Sequence, residues 1–97
     1  MSNCVEGFFK SEHFTYRQWD RRINDKVLAH ILKNVEHNKC NTLLIVSRRV
    51  LKKMNIRENK ELFIKVDNKT LITCFYCELQ EYYVANRKQN YLIISKI

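Results

Sequence analysis

His13, Arg17 and Arg21 recur at every fourth residue inside the stretch His13 to Ile23. On a helix, residues four apart stand one turn apart on the same face, so the three side chains form one stripe. An imidazole ionises near neutral pH and can take or give a proton. A guanidinium stays charged and holds an anion through a rigid fork of donors. Together these groups suit attack on an RNA phosphodiester without metal. A base is needed for the ribose 2′-hydroxyl, an acid for the leaving 5′-oxygen, and cations for the charge on the pentavalent phosphate. A positioned acid or base contributes roughly 10²- to 10⁴-fold in rate. The same spacing also fits a solvated basic helix face that carries an incidental histidine.

Composition sets the frame for that stripe. The chain has 97 residues, 45% of them hydrophobic, and no proline. This predicts one domain over residues 1–97 with one modest core, in which 1–10 is an N-terminal arm or a short extended segment tucked under the first helix. The net charge of +8 favours a polyanionic partner: nucleic acid, an acidic protein, or both. Glycine occurs once, at Gly7, which excludes the phosphate-binding loops built from several glycines. No apolar run approaches the roughly 20 residues of a membrane span, and no signal peptide is visible at the N-terminus. No membrane partner and no cofactor are expected. The four cysteines then read as reduced thiols of a cytoplasmic protein, whether free-standing or the end of a longer effector delivered into a target cell.

The elements that must position the stripe can be read in order. Ser11 is placed to cap a first helix that runs to about Arg21, with Glu12 in its first turn. Asn24 caps a second helix, whose Val27, Leu28, Ile31, Leu32 and Val35 make a buried face. Thr42 to Val46 is an apolar, branched run that predicts a buried strand. Ser47 caps a short third helix, Arg48 to Asn55. Leu62 to Val66 and Thr70 to Cys77 make a hairpin about Asp67-Asn68-Lys69. Glu78 to Lys88 fits helix or strand, and Tyr91 to Ile97 reads as a last strand. Helices first and strands afterwards predict an α+β fold, with two N-terminal helices packed on an antiparallel sheet of about four strands.

His13-x3-Arg17-x3-Arg21-x-Ile23, then a polar cap and Val27…Ile31-Leu32, resembles a family of small bacterial and phage toxin-like domains. Their usual pattern is His-x3-Arg-x3-Arg-Gly-Ile on a helix, a second amphipathic helix, and a sheet with a late Ile/Val-Thr step. Ile72-Thr73 looks like that step, and the likeness spans residues 11 to 35 and 62 to 77. The family belongs with the barnase, EndoU, colicin and RelE-like superfamily of metal-independent ribonucleases. The resemblance implies that architecture and an endoribonuclease toxin cleaving RNA, tRNA included, to a 2′,3′-cyclic phosphate. It implies His13 as general acid or base, Arg17 and Arg21 on the scissile phosphate, and Thr73 orienting it from the sheet. It also implies an acidic antitoxin or immunity protein as partner. Arg22 stands where the family carries glycine, which predicts a tighter, more helical link between the first two helices.

Strand alternation puts Thr73, Phe75 and Cys77 on one face, and Ile72, Cys74 and Tyr76 on the other. Tyr91 is therefore the freer candidate for a second acid, beside Tyr82 and Tyr83. Arg48, Arg49, Lys52, Lys53 and Arg57 form a second basic group, suited to an RNA backbone, an acidic inhibitor or simple solvation. Cys74-x2-Cys77 lies within a strand and not on a turn, so no metal is expected there. Tyr82, Tyr83 and Tyr91 near Arg87 and Lys88 can stack bases or pack the core. Two alternatives remain open: a non-catalytic nucleic-acid-binding module, and a RelE/ParE-like toxin acting on a protein target.

Overall fold

A computed structural model describes residues 3–79 and 89–96. Over these residues the chain forms β1 (Cys4–Val5), β2 (Phe8–Lys10), α1 (Glu12–Asp20), α2 (Asp25–Leu32), β3 (Thr42–Val46), α3 (Arg48–Lys53), β4 (Glu61–Asp67), β5 (Thr70–Cys77) and β6 (Asn90–Ile94). The strands make one six-stranded sheet in the order β1-β2-β5-β4-β3-β6.

All three helices start where side-chain chemistry dictates. The Ser11 hydroxyl accepts from the Phe14 amide at 2.9 Å. The Asn24 side chain accepts from Val27 at 2.8 Å, and the Ser47 hydroxyl from Val50 at 3.3 Å. Each cap satisfies an amide that the first helical turn leaves without a partner. Ser11 also donates to the Ile72 carbonyl at 2.8 Å, which ties the start of α1 to β5.

The predicted link between the first two helices is corrected. Arg22 has φ +57°, and its amide donates to the Trp19 carbonyl while Ile23 donates to Gln18. These are the paired bonds of a Schellman stop, which needs a left-handed residue after the cap. Arg22 takes that conformation despite its side chain, so the helix breaks here and does not continue. α3 ends in the same way, with Asn55 at φ +63°, Asn55 donating to Lys52 and Ile56 to Leu51.

The predicted architecture is also corrected. In place of two helices on about four antiparallel strands, the described residues hold three helices and a mixed sheet. β2 lies parallel to β5 and β6 parallel to β3. Both pairings have the long connections that parallel strands require. In place of the arm expected at 1–10, Cys4–Val5 and Phe8–Lys10 pair as a hairpin on the sheet. Glu6 (φ +49°) and Gly7 (φ +83°) turn it, and the tight two-residue turn needs positive φ at both positions. A Cβ on Gly7 would stand 2.7 Å from the His37 ring. That ring sits edge-on to Phe8 at 4.7 Å.

All three helices cover one face of the sheet. Phe14 from α1, Leu28, Ile31 and Leu32 from α2, and Val50 and Leu51 from α3 pack on Leu44, Val46, Leu62, Ile64, Val66, Leu71 and Cys74. The opposite face has its own cluster, in which Leu43, Ile45 and Phe63 are buried against Phe75, Cys77, Leu79 and Tyr91. β3 is buried along its whole length, as its unbroken apolar run requires.

Candidate nucleic-acid interface

α1 runs alongside β5, from Ser11 at Ile72 to Arg21, whose field reaches Cys74 and Tyr76. Phe14 and Gln18 are its buried side. His13 is exposed, Arg17 half-buried and Arg21 exposed. The stripe therefore lies along the boundary between the helix and β5. Arg21 also pairs with Asp20 at 3.3 Å.

The structure does not bring Thr73 or Tyr91 to this stripe. Thr73 pairs with Lys65 and Cys74 with Ile64, and Ile64 and Cys74 belong to the helix-side core. Thr73 thus faces away from α1. The irregularity in the β4–β5 ladder falls beside Val66 and Leu71, before Thr73, so alternation from Thr73 to Cys77 is undisturbed. Tyr91 packs in the opposite-face cluster. Tyr82, Tyr83, Arg87 and Lys88 lie outside the described residues.

The tyrosine that does meet the stripe is Tyr76. Asp20, Arg21, Arg22, Glu58, Lys60 and Tyr76 line a cleft of about 380 Å³. Burial, with the Glu58 carboxylate and Cys74, pushes the Tyr76 hydroxyl up to about 12 against the opposing pull of Arg21. At neutral pH it stands as a hydrogen-bond donor in a cleft where two arginines and a lysine face the carboxylates of Asp20 and Glu58. Burial likewise pushes the Cys74 thiol up to about 12, with Arg21 and Arg17 pulling the other way.

Of the second basic group, Arg48 is committed elsewhere: it pairs with Glu61 at 3.2 Å and donates to the Asn59 carbonyl at 3.3 Å. Arg49, Lys52, Lys53 and Arg57 are exposed. Lys53 borders a separate cavity of about 310 Å³ with Val27 and His30. Glu58 and Lys60, in the loop that follows this group, line the cleft that holds Arg21.

The sequence offers Phe14, Tyr16 and Trp19 as apolar area beside the stripe, to pack one edge of α1; of the three only Phe14 is buried. Tyr16 is 59% and Trp19 68% exposed, and their spacing of three residues sets them on one side of the helix. Rings this large are ordinarily drawn into the core, so their exposure is the signal, and it appears only once the buried side of α1 is known.

Lys10, Gln18 and Asp25 form a part-buried polar cluster at the end of α1. The Lys10 side chain is fully enclosed and its Nζ meets Asp25 Oδ1 at 2.6 Å. Gln18 Nε2 donates to the same oxygen at 2.7 Å. Gln18 Oε1 is buried without a hydrogen-bond partner. Cys74 and Cys77 lie on opposite sides of the sheet, and among the described residues no three His, Cys, Asp or Glu side chains gather as a metal site. Among those residues, too, no helix is long and apolar enough to cross a membrane.

Comparison with protein-family models, with curated proteins and with solved structures returned no match to this chain.

Proposed function

We propose that the chain binds single-stranded RNA along α1. The observation that carries this reading is the pairing of two rows on one helix. His13, Arg17 and Arg21 form a basic row on one side of α1, and Tyr16 and Trp19 form an exposed aromatic row further round it, with Tyr16 flanking His13 and Trp19 turned away from Arg17 and Arg21. A groove of cations follows a phosphate backbone, while exposed rings stack unpaired bases. A duplex hides its base faces, so this arrangement favours single strands. The cleft lined by Arg21, Arg22, Lys60 and Tyr76, with Asp20 and Glu58, is a phosphate seat on that path. The net charge of +8 supports attraction to a polyanion, and the reading places the chain in the cytoplasm with its RNA.

The test is fluorescence anisotropy of a labelled single-stranded RNA across a salt series. Binding is expected to weaken linearly in log–log form as salt rises, and Arg17→Ala with Arg21→Ala to weaken it further. Equal affinity for a duplex of the same sequence, or affinity indifferent to salt, would sink the proposal.

A second reading, cleavage, is favoured by Tyr76, a protonated donor in the same cleft as Arg21. Arg17 and Arg21 would hold the phosphate, Tyr76 would protonate the leaving 5′-oxygen, and His13, which stands two turns along α1 outside the cleft, would have to meet the 2′-hydroxyl there to remove its proton, leaving a 2′,3′-cyclic phosphate. An enzyme of that kind would be a toxin, held in check by an acidic antitoxin or immunity protein. Incubation with tRNA and total RNA in EDTA separates the readings. Cleavage lost in both His13→Ala and Tyr76→Phe supports the enzyme, and intact RNA with binding retained supports the module alone. Growth arrest with intact RNA and no RNA binding would point to a toxin with a protein target.

A further inference from the structure

We propose that the groove along α2, between α3 and β6, docks an acidic amphipathic helix of a partner protein. The inference stands apart from the RNA-binding reading, because it uses no residue of α1 or of its cleft. Two hollows make the groove. One, of about 310 Å³, has Lys26, Val27, His30, Lys53 and Met54 among its walls. The other, of about 280 Å³, runs from His30, Ile31 and Val35 to Leu92, Ile94 and Lys96. His30 lines both, so the two adjoin at its ring.

Three observations set the chemistry of the occupant. First, the floor is apolar and carries no aromatic ring. Val27, Val35, Met54, Leu92 and Ile94 pack on the helix-side core and are only partly buried by it. Such a floor gains from burial against aliphatic side chains and offers no platform for a base. Second, no carboxylate lines either hollow among the described residues. Lys26 and Lys53 flank one hollow and Lys96 the other, and all three are exposed. Lys33 and Arg49 stand one turn from His30 and Lys53 on the same helix faces, and they are exposed as well. The acids that bracket this stretch in sequence are engaged, Asp25 by Lys10 and Glu36 by Lys39. A partner that brings carboxylates therefore meets cations at both ends of the groove. Third, Val27 lines one hollow and Ile31 the other, one turn apart on α2. A helix laid along the groove sets apolar residues three or four apart into the two hollows, with its acids over the lysines.

The test uses the whole chain and a fluorescein-labelled peptide of about 18 residues, long enough to hold a helix. Its leucines stand three and four apart, with alanine and glutamate between them. Saturable binding in fluorescence anisotropy is the expected result. Replacing the leucines by alanine, or scrambling the order of the residues, is expected to weaken binding at least about tenfold. Lys26→Gln with Lys53→Gln is expected to weaken it about tenfold, and Arg17→Ala, on α1, to leave it unchanged. Unlabelled single-stranded RNA is expected to leave the peptide in place. No peptide binding, or equal binding of the leucine and alanine peptides, overturns the groove and leaves the RNA reading standing. Displacement of the peptide by RNA assigns the groove to RNA and overturns the protein occupant. Loss of peptide binding in Arg17→Ala, with none in the lysine variant, moves the peptide to α1 and overturns the proposal too. Peptide binding by a chain that binds no RNA supports the groove and removes the RNA reading.

Discussion

Tyr76 and Cys74 hold their protons more tightly folded than unfolded. Tyr76 moves from 10.0 to about 12 and Cys74 from 9.0 to about 12, both chiefly through burial. With folded values above unfolded ones, the folded chain binds more protons over that interval, so stability falls as pH rises through it. Chemical denaturation followed against pH is expected to give a flat midpoint below about pH 9 and a decline toward pH 12. Tyr76→Phe should remove the part above pH 10. A midpoint that rises with pH there would refute the burial of these groups. Lys10 gives a second residue-scale prediction. Its enclosed ammonium depends on Asp25, and Asp25→Ala leaves a buried charge unpaired. The loss in urea denaturation is expected to exceed the roughly 1 kcal/mol of an ordinary exposed ion pair.

The link between α1 and α2 makes its prediction at the level of the element. Arg22 holds a left-handed conformation, which costs an L-residue roughly 1–2 kcal/mol where glycine pays nothing comparable. Arg22→Gly is therefore expected to raise stability by about 1 kcal/mol in thermal or urea denaturation. A loss of stability would mean that the arginine side chain makes a contact that outweighs the backbone strain. The helix starts at Ser11, Asn24 and Ser47 were legible in the sequence because capping is local chemistry between residues three apart. Thr42 to Val46 and Thr70 to Cys77 were legible with their bounds, through branched apolar runs and the Asp67-Asn68 turn. The left-handed stop at Arg22 was not, because arginine carries no intrinsic preference for it. It is enforced by burial of Ile23, which is 2% exposed, and by the bonds to Gln18 and Trp19. The Cys4–Val5 and Phe8–Lys10 strands are too short to show an alternating pattern, so their place in the sheet could not be read either.

For the whole molecule, the sheet separates what the motif joined. His13, Arg17 and Arg21 were found by spacing within one helix, and their common stripe follows from helix geometry alone. Thr73 and Tyr76 depend on which face of β5 meets α1, and that is a tertiary fact. The same holds for Lys60, which has no special local signal and enters the cleft because α3 and its loop return to the start of β4. RNA binding that draws on several of these cations at once is expected to give a steep salt dependence. Arg17→Ala should lower the log–log slope by about 1, while Arg48→Ala, away from α1 and paired with Glu61, should leave it nearly unchanged.

The two parallel pairings also bear on how this chain folds. The β4–β5 hairpin closes through a short turn, but β2 reaches β5 across much of the sequence, with Ser11 and Ile72 61 residues apart. β6 reaches β3 across a similar gap, as the Gln89–Asn41 contact over 48 residues shows. Contacts between distant residues pay their loop-closure entropy before they are rewarded. The β3–β4–β5 meander is thus placed to form first, with the two outer regions joining last. In hydrogen exchange, the amides of Leu44, Ile64 and Cys74 are expected to open only with global unfolding, while those of β1 and β6 exchange through smaller openings.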